Sequence, residues 1–221
     1  GILDPEVFMQ AMNIVLEQAQ YFDNLDIIDI GGGIGVPYTQ DEKPINLKKL
    51  GEQITQRMEE FNKSYGKKVT LYMEPGRFVV ANAGYLLTKV VNKKHTPAFQ
   101  FIGVDSGFNH LIRPMAYGSH HQIINGSKLN HPETEEAIIA GNLCESGDIF
   151  SKKNEETAPY TFKKVDYQDI LVIYTAGAYG FSMASHYNSR LLPAEVMCYQ
   201  GKARVIRKRE TLEDLLRGQT L

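Results

Sequence analysis

The hydrophobic pattern of the first third of the chain alternates between helical spacing and short apolar runs. Apolar residues recur about every 3.6 positions between Asp4 and Phe22, which predicts a helix capped by the aspartate. Residues 47–61 repeat that spacing, and the apolar runs 25–30 and 69–73 predict strands. The order strand, helix, strand is typical of a βαβ unit, so we expect the two strands to be parallel and buried.

After about residue 82 the pattern changes to short β-rich runs separated by Gly, Asn and Asp. The polar segment 151–163 is interpreted as a loop, residues 210–216 as a closing helix, and Cys198 as a core residue. We therefore expect an α/β part over residues 1–82 and a mostly antiparallel β-domain over residues 83–221. The predicted strands of the second part cover residues 85–91, 100–104, 121–124, 136–140, 169–174, 194–199 and 203–207.

Composition and charge narrow the class of protein. The 221 residues carry 24 basic and 26 acidic side chains, and this balance argues against a nucleic-acid binder. No apolar run approaches the ~20 residues that span a bilayer, and no signal-peptide pattern opens the chain. Two distant cysteines without CxxC spacing form neither a disulfide framework nor a metal motif. We expect no metal, no membrane and a reducing, cytoplasmic setting.

Two glycine-bearing turns follow the two predicted strands. Gly31, Gly32 and Gly33 could let backbone N–H groups approach a phosphate, although a tight turn without a ligand is the alternative. The segment Glu74-Pro75-Gly76-Arg77 could hold a cation and an anion side by side, or form a surface turn with an ion pair. Both turns lie where α/β sheets and barrels bind ligands, at the carboxyl ends of strands.

Three further segments carry candidate chemistry in the second part. Cys144 is followed by Glu145 and Asp148, and such acidic neighbours disfavour a thiolate, which suits a proton donor better than a nucleophile. Arg113 could bind a carboxylate through two nitrogens, or be an exposed loop arginine. Tyr179, between glycines after a predicted strand, could deliver a hydroxyl to a pocket, or belong to an ordinary β-turn.

Taken together, these motifs resemble the diaminopimelate decarboxylase family, within the fold-III pyridoxal-phosphate (PLP) group. The similarity extends from about residue 26 to the C-terminus, and it predicts the last part of a (β/α)8 TIM-like PLP-binding barrel followed by the β-domain. Glutamate after the cysteine favours the diaminopimelate branch, because ornithine decarboxylases carry aspartate there. The matching segments occur in the family's order: GGGIG, EPGR, DSGFNHLIRPMAYGSHH, CESGD, GAYGFSMASHYNSR and the closing Arg-Lys-Arg-Glu-Thr.

The resemblance implies roles for the residues of these segments. Cys144 would be the general acid, and it would reach the partner's site across a homodimer interface together with Glu145. The cofactor-binding residues would be Gly31, Gly32, Gly33, Glu74, Gly76, Arg77 and Tyr179. The substrate-binding residues would be Arg77, Arg113, Tyr117, Glu145 and Tyr179.

The family's PLP-bearing lysine has no counterpart among the lysines of this sequence. It belongs to an N-terminal half that the sequence does not contain, so we expect this chain to be one part of a larger enzyme, supplied by the same or a separate chain, and inactive alone. The leading function is decarboxylation of meso-2,6-diaminopimelate to L-lysine. The alternatives are a decarboxylase of another diamino acid (ornithine, lysine or carboxynorspermidine), a non-catalytic fragment, or an unrelated phosphate-binding module.

Overall fold

The computed structural model describes residues 1–220 and divides at residue 83 into two compact units, Gly1–Ala83 and a second unit that begins at Gly84. The α-helices are α1 (Pro5–Ala19), α2 (Leu47–Tyr65), α3 (Gly76–Val80), α4 (Arg113–Tyr117) and α5 (Leu212–Leu216). The strands are β1 (Ile27–Asp29), β2 (Thr70–Tyr72), β3 (Leu86–His95), β4 (Gln100–Val104), β5 (Ile123–Asn125), β6 (Thr134–Ala140), β7 (Lys152–Lys153), β8 (Glu156–Thr157), β9 (Tyr160–Lys163), β10 (Ile170–Ile173), β11 (Glu195–Tyr199) and β12 (Lys202–Arg207).

The helices of the first unit begin and end at residues that cap them. Asp4 accepts a hydrogen bond from the Glu6 N–H at the start of α1, and Asn46 accepts one from the Lys49 N–H at the start of α2. Helix α2 ends at Gly66, whose φ of 76° lies in the left-handed region that glycine adopts without strain. The apolar faces of α1 and α2 share one core with Ile28 of β1 and Val69, next to β2.

Strands β1 and β2 pair in parallel, with Ile28 opposite Leu71, so the predicted βαβ order and strand direction are confirmed. The prediction that both strands are buried is wrong within this chain. Ile28 is buried, whereas Ile27 and Tyr72 remain 47% and 51% exposed. Parallel strands are buried when helices cover both faces and further strands extend the sheet, and each of these strands has a single neighbour among residues 1–220.

The second unit is built on a six-stranded sheet in the order β5-β10-β3-β4-β6-β9. Every neighbouring pair is antiparallel except β4 with β6, so the mostly antiparallel prediction is confirmed for this sheet. The core of the sheet consists of aliphatic and aromatic side chains that are almost fully buried. Its members are Val90, Ile102, Val104, Leu111, Ile123, Ala137, Ile139, Phe150, Phe162, Val165, Leu171 and Ile173.

Two sequence predictions for the second unit need correction. Residues 151–163 do not form a loop, because they hold the hairpin β7–β8 and the edge strand β9. The hairpin turns at Asn154 and Glu155, both with positive φ, the geometry that matches the twist of paired strands. Cys198 is exposed rather than in the core, because β11 and β12 form a separate two-stranded ribbon outside the six-stranded sheet.

Candidate active site

The glycine turn and Glu74 lie together in the first unit. Gly31 follows β1 and Glu74 follows β2, and because these strands are parallel both turns fall at the same edge of the sheet. The Glu74 N–H donates to the Gly31 carbonyl at 2.7 Å, which joins the turns directly. Sequence spacing alone could not show this contact, because it depends on the strand register.

Close packing against Glu74 explains the second glycine of the turn. A Cβ on Gly32 would lie 2.5 Å from the Glu74 carbonyl oxygen, so a larger residue would force the two turns apart. Gly33 has a φ of 98°, which side chains rarely adopt. The N–H groups of Gly32 and Gly33 find no acceptor among residues 1–220. Two free N–H donors beside a carboxylate-bearing residue fit a ligand with a phosphate end and a cationic ring, as pyridoxal phosphate has.

Arg77 lies in the first turn of α3, directly after Gly76. Its guanidinium donates a hydrogen bond to the Tyr38 hydroxyl at 2.8 Å and lies 5.7 Å from the centre of the Tyr38 ring. Among the ion pairs formed by residues 1–220, none joins Glu74 to Arg77, so the Glu74–Arg77 pair of the alternative interpretation is not formed. Tyr38, which sequence analysis did not select, therefore orients the arginine.

Arg113 and Tyr179 come together in the second unit. The arginine opens α4, is buried, and its guanidinium carbon lies 5.9 Å from the centre of the Tyr179 ring. Its Nη2 also donates to the Ser119 hydroxyl at 3.0 Å. The exposed-loop interpretation of Arg113 is therefore wrong. Tyr117 ends the same helix and is exposed.

Tyr179 has a left-handed backbone held by close chain contacts. Its φ is 59°, a value that is uncommon for a tyrosine. A Cβ on the next residue, Gly180, would lie 2.3 Å from the Ala176 carbonyl oxygen, so the turn can close only with glycine there. Strained backbone of this kind is concentrated at functional sites.

Cys144 and Glu145 lie on an exposed loop whose base is held by Asp148. The buried Asp148 carboxylate accepts hydrogen bonds from the N–H groups of Leu143 and Phe108, at 2.8 and 2.7 Å. Burial raises the pKa of this carboxyl, and the two N–H donors oppose that shift. The loop is thereby attached to the Asp105–His110 segment, which precedes α4.

Contacts with residues 187–190 complete the surroundings of this loop. The Asn188 side-chain oxygen accepts from the Cys144 N–H at 2.8 Å, and the Tyr187 hydroxyl donates to a Glu145 carboxylate oxygen at 3.1 Å. In the sequence, this segment stands out only as the end of the GAYGFSMASHYNSR motif. A cluster of Tyr, Asn and Arg between two β-rich regions is the signal that could have drawn attention to it.

A metal has no prepared site in the described residues, since no group of three or more His, Cys, Asp and Glu side chains converges within residues 1–220. Over the same range, no helix has both the length and the apolar character needed to cross a bilayer. Within the first unit Glu74 lies beside the glycine turn, and within the second unit Arg113 lies beside Tyr179. A carboxylate and an arginine of these kinds can each pair with an ionised group of a charged organic molecule.

Comparison with known protein families identifies the family of this chain. Residues 22–177 match the model of the pyridoxal-dependent decarboxylase C-terminal sheet domain, and the chain belongs to that family. Several of its relatives bear the name diaminopimelate decarboxylase. The proteins of that name from Methanothermobacter thermautotrophicus and Escherichia coli K12 are each 41% identical to it, over 100% and 92% of the chain.

Solved structures agree with the sequence relatives. A diaminopimelate decarboxylase crystal structure superimposes with a TM-score of 0.89 at 38% identity, covering 98% of this chain and 53% of that one. The M. jannaschii enzyme in co-complex with L-lysine gives a TM-score of 0.86 at 35% identity, covering 100% of this chain and 50% of that one. The chain spans about half the length of the curated relatives it matches, 51% and 50% for the two above.

Proposed function

We propose that this chain supplies the C-terminal part of a PLP-dependent carboxy-lyase that converts meso-2,6-diaminopimelate to L-lysine and CO2 in lysine biosynthesis. The observation that carries the proposal is the direct contact between the glycine turn and Glu74 at the ends of paired parallel strands. Sequence identity of 41% to a diaminopimelate decarboxylase over the full length of this chain supports the choice of substrate. We place the enzyme in the cytoplasm, as the cysteine usage suggests.

In this proposal residues 1–82 are the last part of a (β/α)8 barrel, and residues 83–221 are the β-rich domain. The exposed apolar side chains of β1 and β2 support the barrel, because they mark strands that would continue into a larger sheet. The remaining strands, and the lysine that would carry the cofactor, would come from the half of the relatives' length that this chain does not span.

The cofactor would be held by two sets of groups. The N–H groups of Gly32 and Gly33, with Arg77 after β2, would bind its phosphate, and Tyr179 would reach the cofactor or the substrate. Gly31 and Gly76 would shape the two turns around the phosphate, because their own N–H groups donate to Asp29 Oδ1 at 2.8 Å and to the Glu74 carbonyl at 2.7 Å. The Glu74 carboxylate would keep the ring nitrogen protonated. When bound, pyridoxal phosphate supplies the electron sink that accepts the charge left by departing CO2.

The substrate has a carboxylate and an ammonium at each end, and lysine lacks only the distal carboxylate, so a cation that binds this carboxylate distinguishes the two while an anion for the distal ammonium adds affinity. Arg113 would bind the distal carboxylate with Tyr117 beside it, and Glu145 would bind the distal ammonium. Arg77 would lie near the carboxylate at the reacting end. Burial of Arg113 supports this role, because a guanidinium that has lost water gains more from a carboxylate.

Cys144 would return a proton to the carbon that has lost CO2. Its exposed position supports a second part of the proposal, that Cys144 and Glu145 enter the active site of a partner subunit in a homodimer with shared sites. Each subunit would then need the other for activity.

The first test measures substrate choice in the complete enzyme, meaning this chain together with the remaining half. We expect meso-diaminopimelate to be decarboxylated with a higher kcat/KM than L-ornithine, L-lysine or carboxynorspermidine. Preference for ornithine would overturn the branch assignment. No turnover of any diamino acid would favour a non-catalytic fragment.

The second test replaces Glu145 with glutamine. Loss of the charge should raise KM for meso-diaminopimelate about 10- to 100-fold while the PLP absorbance band persists, because a charge-assisted hydrogen bond to the ammonium is weakened. Glu213→Gln, an exposed glutamate on α5, is the matched control and should leave KM unchanged. Loss of the cofactor band in Glu145→Gln would contradict the assigned role.

A third experiment locates the cofactor lysine. We expect borohydride treatment of this chain alone with PLP to label no single lysine specifically. Mapping of a uniquely labelled lysine within the 221 residues would overturn the claim that the cofactor lysine lies elsewhere.

A further inference from the structure

Three hydrogen bonds connect the segment Tyr187–Arg190 to the loop that carries Cys144 and Glu145. Besides the bonds from Asn188 and Tyr187 described above, Arg190 Nη2 donates to the Asn142 carbonyl at 3.1 Å. The partners are separated by 42 to 48 residues along the chain. Neighbouring residues of one short segment therefore bind neighbouring residues of another, which is more than a single chance surface contact.

The backbone of the segment is bent into a rare conformation that allows these contacts. Asn188 and Ser189 have φ values of 54° and 55°, in the left-handed region. Side chains of an extended chain point alternately to opposite sides, so three side chains among four residues can reach one loop only through a turn. Asparagine tolerates this region better than most residues, and such strain persists where surrounding contacts hold it.

Both ends of the segment are attached to a single carboxylate. Glu210 Oε2 lies 2.7 Å from His186 Nε2 and accepts from the Leu192 N–H at 2.7 Å. The hydrogen bond from the Leu192 N–H lowers the pKa of Glu210, with His186 adding to the effect, so the carboxylate stays ionised. The segment is therefore anchored on both sides of its strained turn.

A ring contact supports the segment from the other side. Tyr187 packs on Phe108 with ring centres 4.9 Å apart, and the Phe108 N–H donates to Asp148 at the base of the Cys144 loop. Tyr187 thus contacts Phe108 with its ring and Glu145 with its hydroxyl, and so connects the Asp105–His110 segment with the Cys144 loop. Its hydroxyl can be removed as Tyr187→Phe without removing the ring that packs on Phe108.

The Glu145 carboxylate is oriented through both of its oxygens. Oε1 accepts from the Gly147 N–H at 3.3 Å, and Oε2 accepts from the Tyr187 hydroxyl. The pKa of Tyr187 is raised because its hydroxyl donates to this carboxylate, so the phenol remains a donor at neutral pH. An exposed glutamate would otherwise sample several rotamers, and ordering it upon substrate binding would weaken affinity.

We propose that Asn188 and Tyr187 are positioning residues of the active site, Asn188 fixing the backbone at Cys144 and Tyr187 fixing the Glu145 carboxylate. This inference rests on the proposed function, in which Cys144 donates a proton and Glu145 binds an ammonium. Because the two residues act through different partners, their loss should affect different steps. Asn188 should influence kcat, and Tyr187 should influence KM.

The first experiment tests Asn188 without using catalysis. In this chain, the Cys144 amide proton should exchange about 5-fold or more faster in Asn188→Ala and Asn188→Gly, measured by NMR, because its acceptor is lost. Asn188→Asp keeps an acceptor oxygen and should restore slow exchange. Asn188→Gly tolerates positive φ, so a parent-like rate in that variant would show that only backbone conformation matters and would overturn the role of the side chain.

The second experiment measures kinetics in the complete enzyme. Asn188→Gly should lower kcat about 10-fold with KM within about twofold, and Asn188→Asp should recover most of kcat. Tyr187→Phe should raise KM about 10-fold with little change in kcat, whereas Tyr167→Phe, an exposed tyrosine, should change neither. Equal effects of both variants on kcat and KM would indicate a merely structural segment and overturn the proposal.

The two experiments separate the failure of this inference from the failure of the proposed function. A parent enzyme that decarboxylates no diamino acid contradicts the function, and the amide exchange then decides the Asn188 contact by itself. A parent that is active, with Asn188 and Tyr187 variants that match it, contradicts only the positioning role.

Discussion

The two units of the chain differ in how completely their sheets are formed. In the second unit β3 and β10 each pair with two neighbours, and core residues such as Leu171 and Ile139 are fully buried. In the first unit β1 and β2 have no strand neighbour among residues 1–220 except each other, and Ile27 beside the buried Ile28 stays about half exposed. A strand that has two neighbours and a covered face buries its apolar side chains in the core of the sheet. A strand that has one neighbour buries them only where helices pack on it.

The same difference separates the two groups of candidate site residues. Those of the first unit lie on turns that directly follow paired strands, where the register alone sets their spacing. Those of the second unit lie outside the six-stranded sheet, Arg113 and Tyr117 on the short helix α4 and the others on loops, and side-chain hydrogen bonds such as those of Asp148 hold the Cys144 loop. The first group should therefore be sensitive to the sheet it belongs to, and the second to individual polar contacts.

The largest expected effect is in the core of the six-stranded sheet. Leu171→Ala should lower the free energy of unfolding by about 2–5 kcal/mol, because it leaves a cavity at a fully buried position. Leu87→Ala, on the neighbouring strand but 64% exposed, is the matched control and should cost about 0.5 kcal/mol or less. Urea denaturation followed by circular dichroism measures both. Similar losses would show that burial does not distinguish these positions.

A smaller effect should appear at alkaline pH through Tyr160. Burial raises the pKa of Tyr160 to about 12, and its hydroxyl donates to the Lys152 carbonyl at 2.5 Å. The folded state then holds this proton more tightly than the unfolded state, so stability is complete below pH 10 and falls as pH rises through the folded pKa. Between pH 9 and 11.5 we expect a loss of about 2 kcal/mol.

The control for this pH dependence is Tyr160→Phe. The variant lacks the titrating hydroxyl, so the difference between its unfolding free energy and that of the parent should shrink over the same pH range. A difference that stays constant would mean that Tyr160 does not titrate in this range.

The smallest effect concerns the first unit and tests whether the two units respond separately. Asn46→Ala removes the cap of α2 and should cost about 1 kcal/mol, whereas Asn46→Asp keeps a cap acceptor. Amide hydrogen exchange should accelerate in α2 and remain unchanged in β3 and β10. Acceleration throughout both units would show that they open together.

Much of the fold followed from local patterns in the sequence. The bounds of α1 and the C-terminal end of α2 depend on caps and glycine within a few residues, and the parallel pair β1–β2 follows from the strand, helix, strand order. The interpretation of residues 151–163 failed because β9 is stabilised by pairing with β6, about 25 residues away, rather than by its own apolar content. The prediction that Cys198 is a core residue failed for a similar reason, since an apolar run does not reveal whether its strand joins the six-stranded sheet or a separate ribbon.

The sequence by itself determined helices α1, α2 and α5, the glycine turns after the strands and the identity of the residues with candidate chemistry, because these depend on neighbours within one or two turns of chain. Only the tertiary structure decided that Glu74 meets the glycine turn, that Arg113 is buried beside Tyr179, and that Asn188 reaches Cys144 across 44 residues. Contacts of this kind depend on strand register and loop packing. Those features arise from interactions between distant residues that no local pattern records.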